Sequence, residues 1–318
     1  MKYNPYTKGL KCRVFDIETT GLYSARDKII SASFIDPDGS DLVQFFTEDP
    51  SSEDHTVARI LQELSDCDCV ITYNGNSFDL PFVAARASKF KLSEDMPILW
   101  KIDIYRWLKN YWQLSPELES LKQKNVEKIL GLSDDRDDEI SGGECIPLYS
   151  EYINIGNVHA KDLILLHNAD DVRQLARITQ QLSFLPYDRI AFETGFYTCS
   201  ETVSLFGYTK NRILIDPAKL SKGKLNVTAH SYPAVAPAAY YGDIFTLQSS
   251  AKGDIELSVN YEDKDGMKFV DITSIFVNID CFKTDPAFNH GFLVLEDADG
   301  INYACCVKLI LAILEKLK

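Results

Sequence analysis

Nowhere does the chain carry the roughly 20 consecutive apolar residues of a membrane-spanning helix. Its longest apolar patch, CCVKLILAIL (305–314), is interrupted by Lys308 and reads as a packed amphipathic helix. The opening MKYNPYTKGLKCRV lacks the long apolar core of a secretory signal. None of the eight cysteines sits in a C-x-x-C pair with matching histidines, so the spacing of a structural zinc site is missing. Scattered thiols of this kind are expected to be reduced and mostly buried, in a cytoplasmic protein. Basic residues are in deficit: 33 Lys and Arg stand against 47 Asp and Glu, with a net charge of −14 and a pI near 4.8. That balance counts against a grip on nucleic acid by bulk electrostatics, while leaving room for local basic contacts. Internal repeats and low-complexity segments are also missing. The DKDG (263–266) and DADG (297–300) segments lack the remaining ligands of a calcium loop and read as hairpin turns.

What is there is a chain of 318 residues, 45% hydrophobic and 25% charged, long enough for two domains. Three strand-like runs come first: CRVFDIE (12–18), KIISASFI (28–35) and LVQFFT (42–47). The turn signal DPDG (36–39) joins the last two. Ser51 and Ser52, followed by Glu53 and Asp54, mark the cap and first turn of a helix running to about Ser65. A strand CVITYNG (69–75), a helix SFDLPFVAARASKF (77–90) and a strand PILWKIDI (97–104) follow. Further helical segments end with AKDLILLHNADDVRQLARITQQL (160–182). The order β-β-β-α-β-α-β-α predicts an α/β fold, a mixed sheet with helices on its faces. Within it the acidic stretch SDDRDDEISGGECI (133–146) reads as a solvated loop. From about Ser183 strand-like runs dominate, and 304–318 closes the chain as a helix. The expected domains are therefore 1–183 and a smaller β-rich 184–318.

Three places in the first half set acids into a buried pattern. In VFDIETTGL (14–22) the alternation of a strand sends Asp16 and Glu18 to one face and Phe15 and Ile17 to the other. In YNGNSFDLPF (73–82), Asp79 falls in the first turn of a helix, with Asn76 or Ser77 as cap and Pro81 early in it. Taken alone, it reads as a first-turn acid favoured by the helix dipole. In the last helix, Ile164, His167, Asn168, Asp171, Leu175 and Ile178 share one stripe, which predicts that Asp171 faces the sheet. Asp170 is expected on the flank, in a surface pair with Arg173 and Arg177. His167, one turn before Asp171, is a candidate general base. Four inward carboxylates are costly to bury unless they coordinate metal. Hard oxygen ligands with no cysteine suit Mg²⁺ or Mn²⁺, and two such ions about 4 Å apart can hydrolyse a phosphodiester.

FDIETTGL, NGNSFDLP and HNADDV, in this order and spacing, resemble the three motifs of the DEDD (DnaQ-like) exonuclease group of the ribonuclease H-like superfamily. KIDIYRWLKNYW, LESLKQKNVEKILGL and DRDDEISGGECIPLYSEYI extend the likeness toward its YprB-like branch, over roughly 11–182. The resemblance implies a ribonuclease H-like fold and a metal cage of Asp16, Glu18, Asp79 and Asp171. It places His167 where the group has a tyrosine or histidine that orients or deprotonates the attacking water. Thr19, Gly21 and Leu22 would border the pocket for the terminal nucleotide, and Asn74 and Phe78 would brace the second motif or contact substrate. Asp103, after the fifth strand, is expected to support the site or the structure.

The second half matches no recognised family. Lys210, Arg212, Lys219, Lys222 and Lys224 cluster near Tyr208, Tyr232, Tyr240 and Tyr241. Such a set can follow a phosphate chain and stack bases, or be a solvated edge with core tyrosines. The leading expectation is a nuclease dependent on two Mg²⁺ or Mn²⁺, a 3′-5′ exonuclease on single-stranded RNA or DNA, with no membrane partner. A non-catalytic nucleic-acid-binding module on the same fold and a metal-dependent endonuclease are the alternatives.

Overall fold

A computed structural model describes residues 2–92, 99–118, 120–132, 136–137, 140–204 and 207–317, with 200–204 and 207–209 by their backbone alone. The chain divides into two compact units, Met1–Leu185 and Pro186–Lys318.

In the first unit the expected strands form β1 (Cys12–Thr19), β2 (Ile29–Ile35), β3 (Val43–Phe46), β4 (Cys69–Thr72) and β5 (Trp100–Asp103). They lie in one sheet in the order β3-β2-β1-β4-β5. β1 pairs antiparallel with β2, and β2 with β3; β1 and β4, and β4 and β5, run parallel. The helices are α1 (Glu53–Ser65), α2 (Asp79–Lys89), α3 (Ile104–Tyr111), α4 (Gln123–Ile129), α5 (Gly142–Ile155) and α6 (Val158–Thr179). The parallel steps require helical crossovers, which is why α1 and α2 follow β3 and β4.

Alternation along β1 decides which face buries what. Phe15 and Ile17 enter a core with Phe34, Val57, Ile60 and Val83, closed by α1 and α2. Phe15 stacks on Phe34 with ring centroids 4.5 Å apart. Glu53 starts α1 but is turned inward, where it accepts the Ile29 N–H at 3.0 Å and pairs with buried Arg86 of α2. The other face of the sheet lies against α5 and α6, with Ile30, Cys145, Tyr149 and Ile164 in contact.

The second unit holds α7 (Tyr187–Thr194) and α8 (Tyr303–Leu314) with two antiparallel sheets. One contains β6 (Phe196–Ser204), β7 (Gly207–Ile215), β8 (Lys219–Ser221), β9 (Lys224–Tyr232), β10 (Ala238–Tyr241), β11 (Phe245–Ser249) and β12 (Asp254–Asn260). The other contains β13 (Glu262–Lys264), β14 (Met267–Asp271), β15 (Phe288–Asn289), β16 (Phe292–Asp297) and β17 (Gly300–Ile301). DKDG joins β13 to β14 with Asp265 and Gly266 both at positive φ, the geometry of a tight hairpin. β6 and β7 pair antiparallel with Ser204 opposite Gly207. No described helix is long and apolar enough to cross a membrane. Six of the eight cysteines are buried, Cys199 is half-buried, Cys281 is exposed, and all are free.

Candidate active site

The pairing of β1 with β2 sets Asp16 opposite Ser33 and Glu18 opposite Ser31. This puts two acids and two hydroxyls on the face that α6 covers. Asn168 of α6 accepts hydrogen bonds from Ser31 Oγ at 3.1 Å and Ser33 Oγ at 2.7 Å, and its Nδ2 donates to Asp16 Oδ2 at 2.8 Å. The Asp16 carboxylate, which can only accept, fixes the orientation of the amide: its nitrogen must face Asp16, which leaves its oxygen to accept from the two hydroxyls. Asp171 lies one turn on. Ligand oxygens of Asp16, Glu18 and Asp171 fall within 4.8 Å of one another. His167 Nε2 sits 3.4 Å from Glu18 Oε1 and 3.5 Å from Asp171 Oδ2, so it touches two of the three.

Asp79 is buried at the start of α2, and its Oδ1 accepts the Ile17 N–H of β1 at 3.3 Å. It is not one of the three acids that meet within 4.8 Å. Its charge still acts there: burial first, then the charges of Asp79, Asp171 and Glu18, hold Asp16 well above the usual carboxylate range. Burial chiefly, with Asp103 and Asp171 adding, pushes Asp79 up to about 7 against the Ile17 N–H that lowers it. Burial and the like charges of neighbouring carboxylates thus both disfavour the ionised forms of Asp16 and Asp79.

The residues expected to touch substrate fall into two groups. Thr19 is buried and donates its hydroxyl to Gly21 O at 2.8 Å; a Cβ on Gly21 would lie 2.4 Å from Asp27 Oδ2, so a side chain there requires Asp27 to move. Leu22 follows at 75% exposed. Exposed Asn74 adopts φ 64, and its N–H and that of Asn76 donate to Asp103 at 3.0 and 3.2 Å. Asp103 also caps α3 by accepting the Arg106 N–H at 3.2 Å, so it is a brace for the second motif. Phe78 packs against Phe82 with centroids 5.5 Å apart. The residue before α2 is Phe78, without a side-chain cap, in place of the expected Asn76 or Ser77.

Three features differ from the expectation from sequence. Asp170 is buried at 2% exposed, more than Asp171, because Asp137 folds over it and donates its N–H to Oδ2 at 2.7 Å. The helical stripe counted only α6 and not the segment lying across it. That segment also supplies Arg136, which donates to both oxygens of buried Glu127 and to Asp171 Oδ1, each at 2.7 Å. Arg136 stands in the acidic run read as a solvated loop, of which 133–135 and 138–139 lie outside the described residues. Finally, the cluster does contain a cysteine. Donor atoms of Glu18, Cys145 and His167 lie within 4.8 Å of one another. Burial and the hydrogen-bonded Glu18 carboxylate push the Cys145 thiol far up.

In the second unit, Tyr232, Tyr240 and Tyr241 are exposed and are not core tyrosines. The side chain of Tyr208 lies outside the described residues. Arg212 pairs with Tyr232 across β7 and β9, whereas Tyr240 and Tyr241 sit on β10, at the other end of the sheet path.

A sequence model for a family of the RNase_H superfamily matches residues 14–183. The chain belongs to the RNase H superfamily. The DNA polymerase of Pyrococcus glycovorans is 38% identical over 91 residues, which is 25% of this chain and 12% of that protein. The DNA polymerase of Methanocaldococcus jannaschii is 33% identical over 88 residues, 24% of this chain and 5% of that protein. The chain thus spans only a small part of these curated relatives. The family B DNA polymerase structure from the hyperthermophilic archaeon Pyrobaculum calidifontis aligns over 57% of this chain and 27% of that one. Its identity is 18% and its TM-score 0.46. The oxygen donors of Asp16, Glu18 and Asp171 suit the divalent cations that such superfamily members use.

Proposed function

We propose that residues 1–183 form a DEDD-type nuclease domain of the YprB-like branch, acting as a 3′-5′ exonuclease on single-stranded RNA or DNA. The observation that carries this reading is the convergence of Asp16, Glu18 and Asp171 within 4.8 Å, from a strand and a helix of separate motifs, beside His167. Asp16, Glu18, Asp79 and Asp171 would hold two Mg²⁺ or Mn²⁺, which when bound supply charge neutralisation at the phosphate and a more acidic water.

The chain's own groups do the rest. His167 accepts a proton at Nε2 from the attacking water, and the Glu18 and Asp171 carboxylates beside it stabilise the imidazolium that results. Asn168 fixes the rotamer of Asp16, and Arg136 that of Asp171. Thr19 and Gly21 form the narrow wall of the pocket, and exposed Leu22 offers an apolar surface to the terminal base. Residues 184–318 are proposed to form a separate domain that holds the strand, through the exposed tyrosines and Arg212.

One observation favours a second reading, a non-catalytic binding module: Asp171 already has a cationic partner in Arg136. Oligonucleotides labelled at either end, incubated with Mn²⁺ or Mg²⁺, separate the two. The nuclease reading expects stepwise loss from the 3′ end of linear strands, no cutting of circles, and no activity for Asp16→Asn. Equal cleavage by wild type and Asp16→Asn refutes it, as does binding that is indifferent to EDTA with no turnover. Cleavage of circular strands would convert it to an endonuclease.

A further inference from the structure

Glu18 belongs to two sets of donors at once. Toward Asp16 and Asp171 its neighbours are hard carboxylates. Toward α5 and α6 they are the Cys145 thiol and the His167 imidazole, and all three residues of this second set are buried. Thiol and imidazole are borderline-soft ligands that Mg²⁺ and Mn²⁺ do not select and Zn²⁺ does. Three protein donors with one position left over is the pattern of an open tetrahedral zinc site.

The distances agree with that pattern. Zinc bonds of about 2.0–2.1 Å to nitrogen and oxygen at the tetrahedral angle put the two ligand atoms roughly 3.3–3.4 Å apart. His167 Nε2 and Glu18 Oε1 are 3.4 Å apart. A zinc-bound sulfur at about 2.3 Å would lie roughly 3.5 Å from either atom; Cys145 Sγ is now within 4.8 Å of a donor atom of each residue, so a shift on the order of 1 Å brings it into range. Its present contact with Ser141 O is a weak one at 4.0 Å. Thiolate, carboxylate and neutral imidazole together carry the two negative charges that balance Zn²⁺. Residue 142, at the start of α5, is glycine and packs over these donors; a Cβ there would stand 3.5 Å from Glu18 Oε2 and 3.8 Å from His167 Nε2.

We propose that Glu18, Cys145 and His167 form a second, thiophilic metal site that takes Zn²⁺, and that its occupation withdraws Glu18 and His167 from the carboxylate cluster. Zinc is then an inhibitor that competes through a shared ligand. The site rests on its own donors; the inhibition rests on the nuclease reading.

Cobalt(II) reports the site without any reaction. Titrated into the full reduced chain, Co²⁺ is expected to give one equivalent of tetrahedral visible bands together with a thiolate-to-cobalt charge-transfer band in the near ultraviolet. Zn²⁺ should bleach both. Cys145→Ser and Cys145→Ala, checked for native circular dichroism, should lose the charge-transfer band, and their Zn²⁺ affinity should fall about a hundredfold or more. A wild type with no charge-transfer band overturns the site. So does a band that survives in both variants, which would assign it to another cysteine such as exposed Cys281. Calorimetry of zinc binding to the wild type in two buffers adds a measure free of mutation. Release of a thiol proton is expected, and zinc binding without it overturns the proposal. For the inhibition, the zinc constant in Mn²⁺-supported cleavage, normalised to each variant's own activity, should rise by the same factor. Equal constants overturn the competition. Absence of cleavage from every variant would overturn the nuclease reading while the cobalt spectrum still decides the site.

Discussion

Replacing Arg136 by methionine keeps most of the stem of the side chain and removes its charge. Two carboxylates lose their partner. Glu127 is the costly one: its side chain is 1% exposed, Arg136 is 8% exposed, and both carboxylate oxygens receive a donor at 2.7 Å. Asp171, at 22% exposed, can turn to solvent, so the magnitude rests on Glu127. Breaking a buried pair by deleting one partner costs about 3–5 kcal/mol. At about 2–4 °C per kcal/mol for a unit of this size, the melting temperature falls by roughly 6–20 °C. Urea unfolding in EDTA of the wild type, Arg136→Met, Glu127→Gln and the double variant gives the cycle. The double variant leaves no buried charge at this pair and should regain most of the loss, with a coupling of at least about 2 kcal/mol. A loss below about 1 kcal/mol in Arg136→Met, or single costs that simply add, refutes the assignment of Arg136 as the clamp of this corner.

Raising the pH should destabilise the metal-free protein. Asp79 at about 7 binds its proton more tightly folded than unfolded, so this contribution is complete below about pH 4 and is lost as the pH rises through 7. The loss is on the order of 4 kcal/mol, and Asp16 adds in the same direction. Urea midpoints from pH 4 to 8 in EDTA should fall, and Asp79→Asn should flatten the fall; identical slopes refute the pH reading. Asn168→Leu removes the acceptor of the Ser31 and Ser33 hydroxyl protons and the donor to one Asp16 oxygen, at a cost of about 1–3 kcal/mol in urea unfolding. An unchanged midpoint would show that these bonds do not hold the helix to the sheet.

Periodicity made the centre of the first unit legible. The period of two in β1 separated Phe15 and Ile17 from Asp16 and Glu18, and the stripe of α6 placed Ile164, His167, Asn168 and Leu175 inside. Both signals are local, and each element reports only its own inner face. Cys145 escaped because zinc spacing rules recognise pairs close in sequence, whereas its partners stand on β1 and α6. Arg136 escaped because its neighbours are acids: SDDRDDE carries the composition of a solvated loop, and nothing local reveals that Glu127 and Asp171 wait beneath it. In the second unit the longer alternating strands were legible. β10 was not, since all four of its residues are exposed and carry no alternation to read.

The way the acids are held bears on what they can do. Asp16 gives Oδ2 to Asn168, Asp79 gives Oδ1 to the Ile17 N–H, and Asp171 gives Oδ1 to Arg136. Each donor is itself fixed: Asn168 by two serines, Ile17 by the sheet, Arg136 by Glu127. Three carboxylates that repel one another are therefore prevented from rotating apart. Repulsion that cannot relax by side-chain motion can be relieved by a proton or by a cation. Burial first, and this repulsion second, raise Asp16 and Asp79, so that both favour the proton when metal is absent. A cluster built to minimise free energy in the metal-free chain would have let the acids swing to solvent. Holding them in place sacrifices stability at neutral pH; on the proposed nuclease reading, preorganised ligands for a divalent ion are the gain that offsets it.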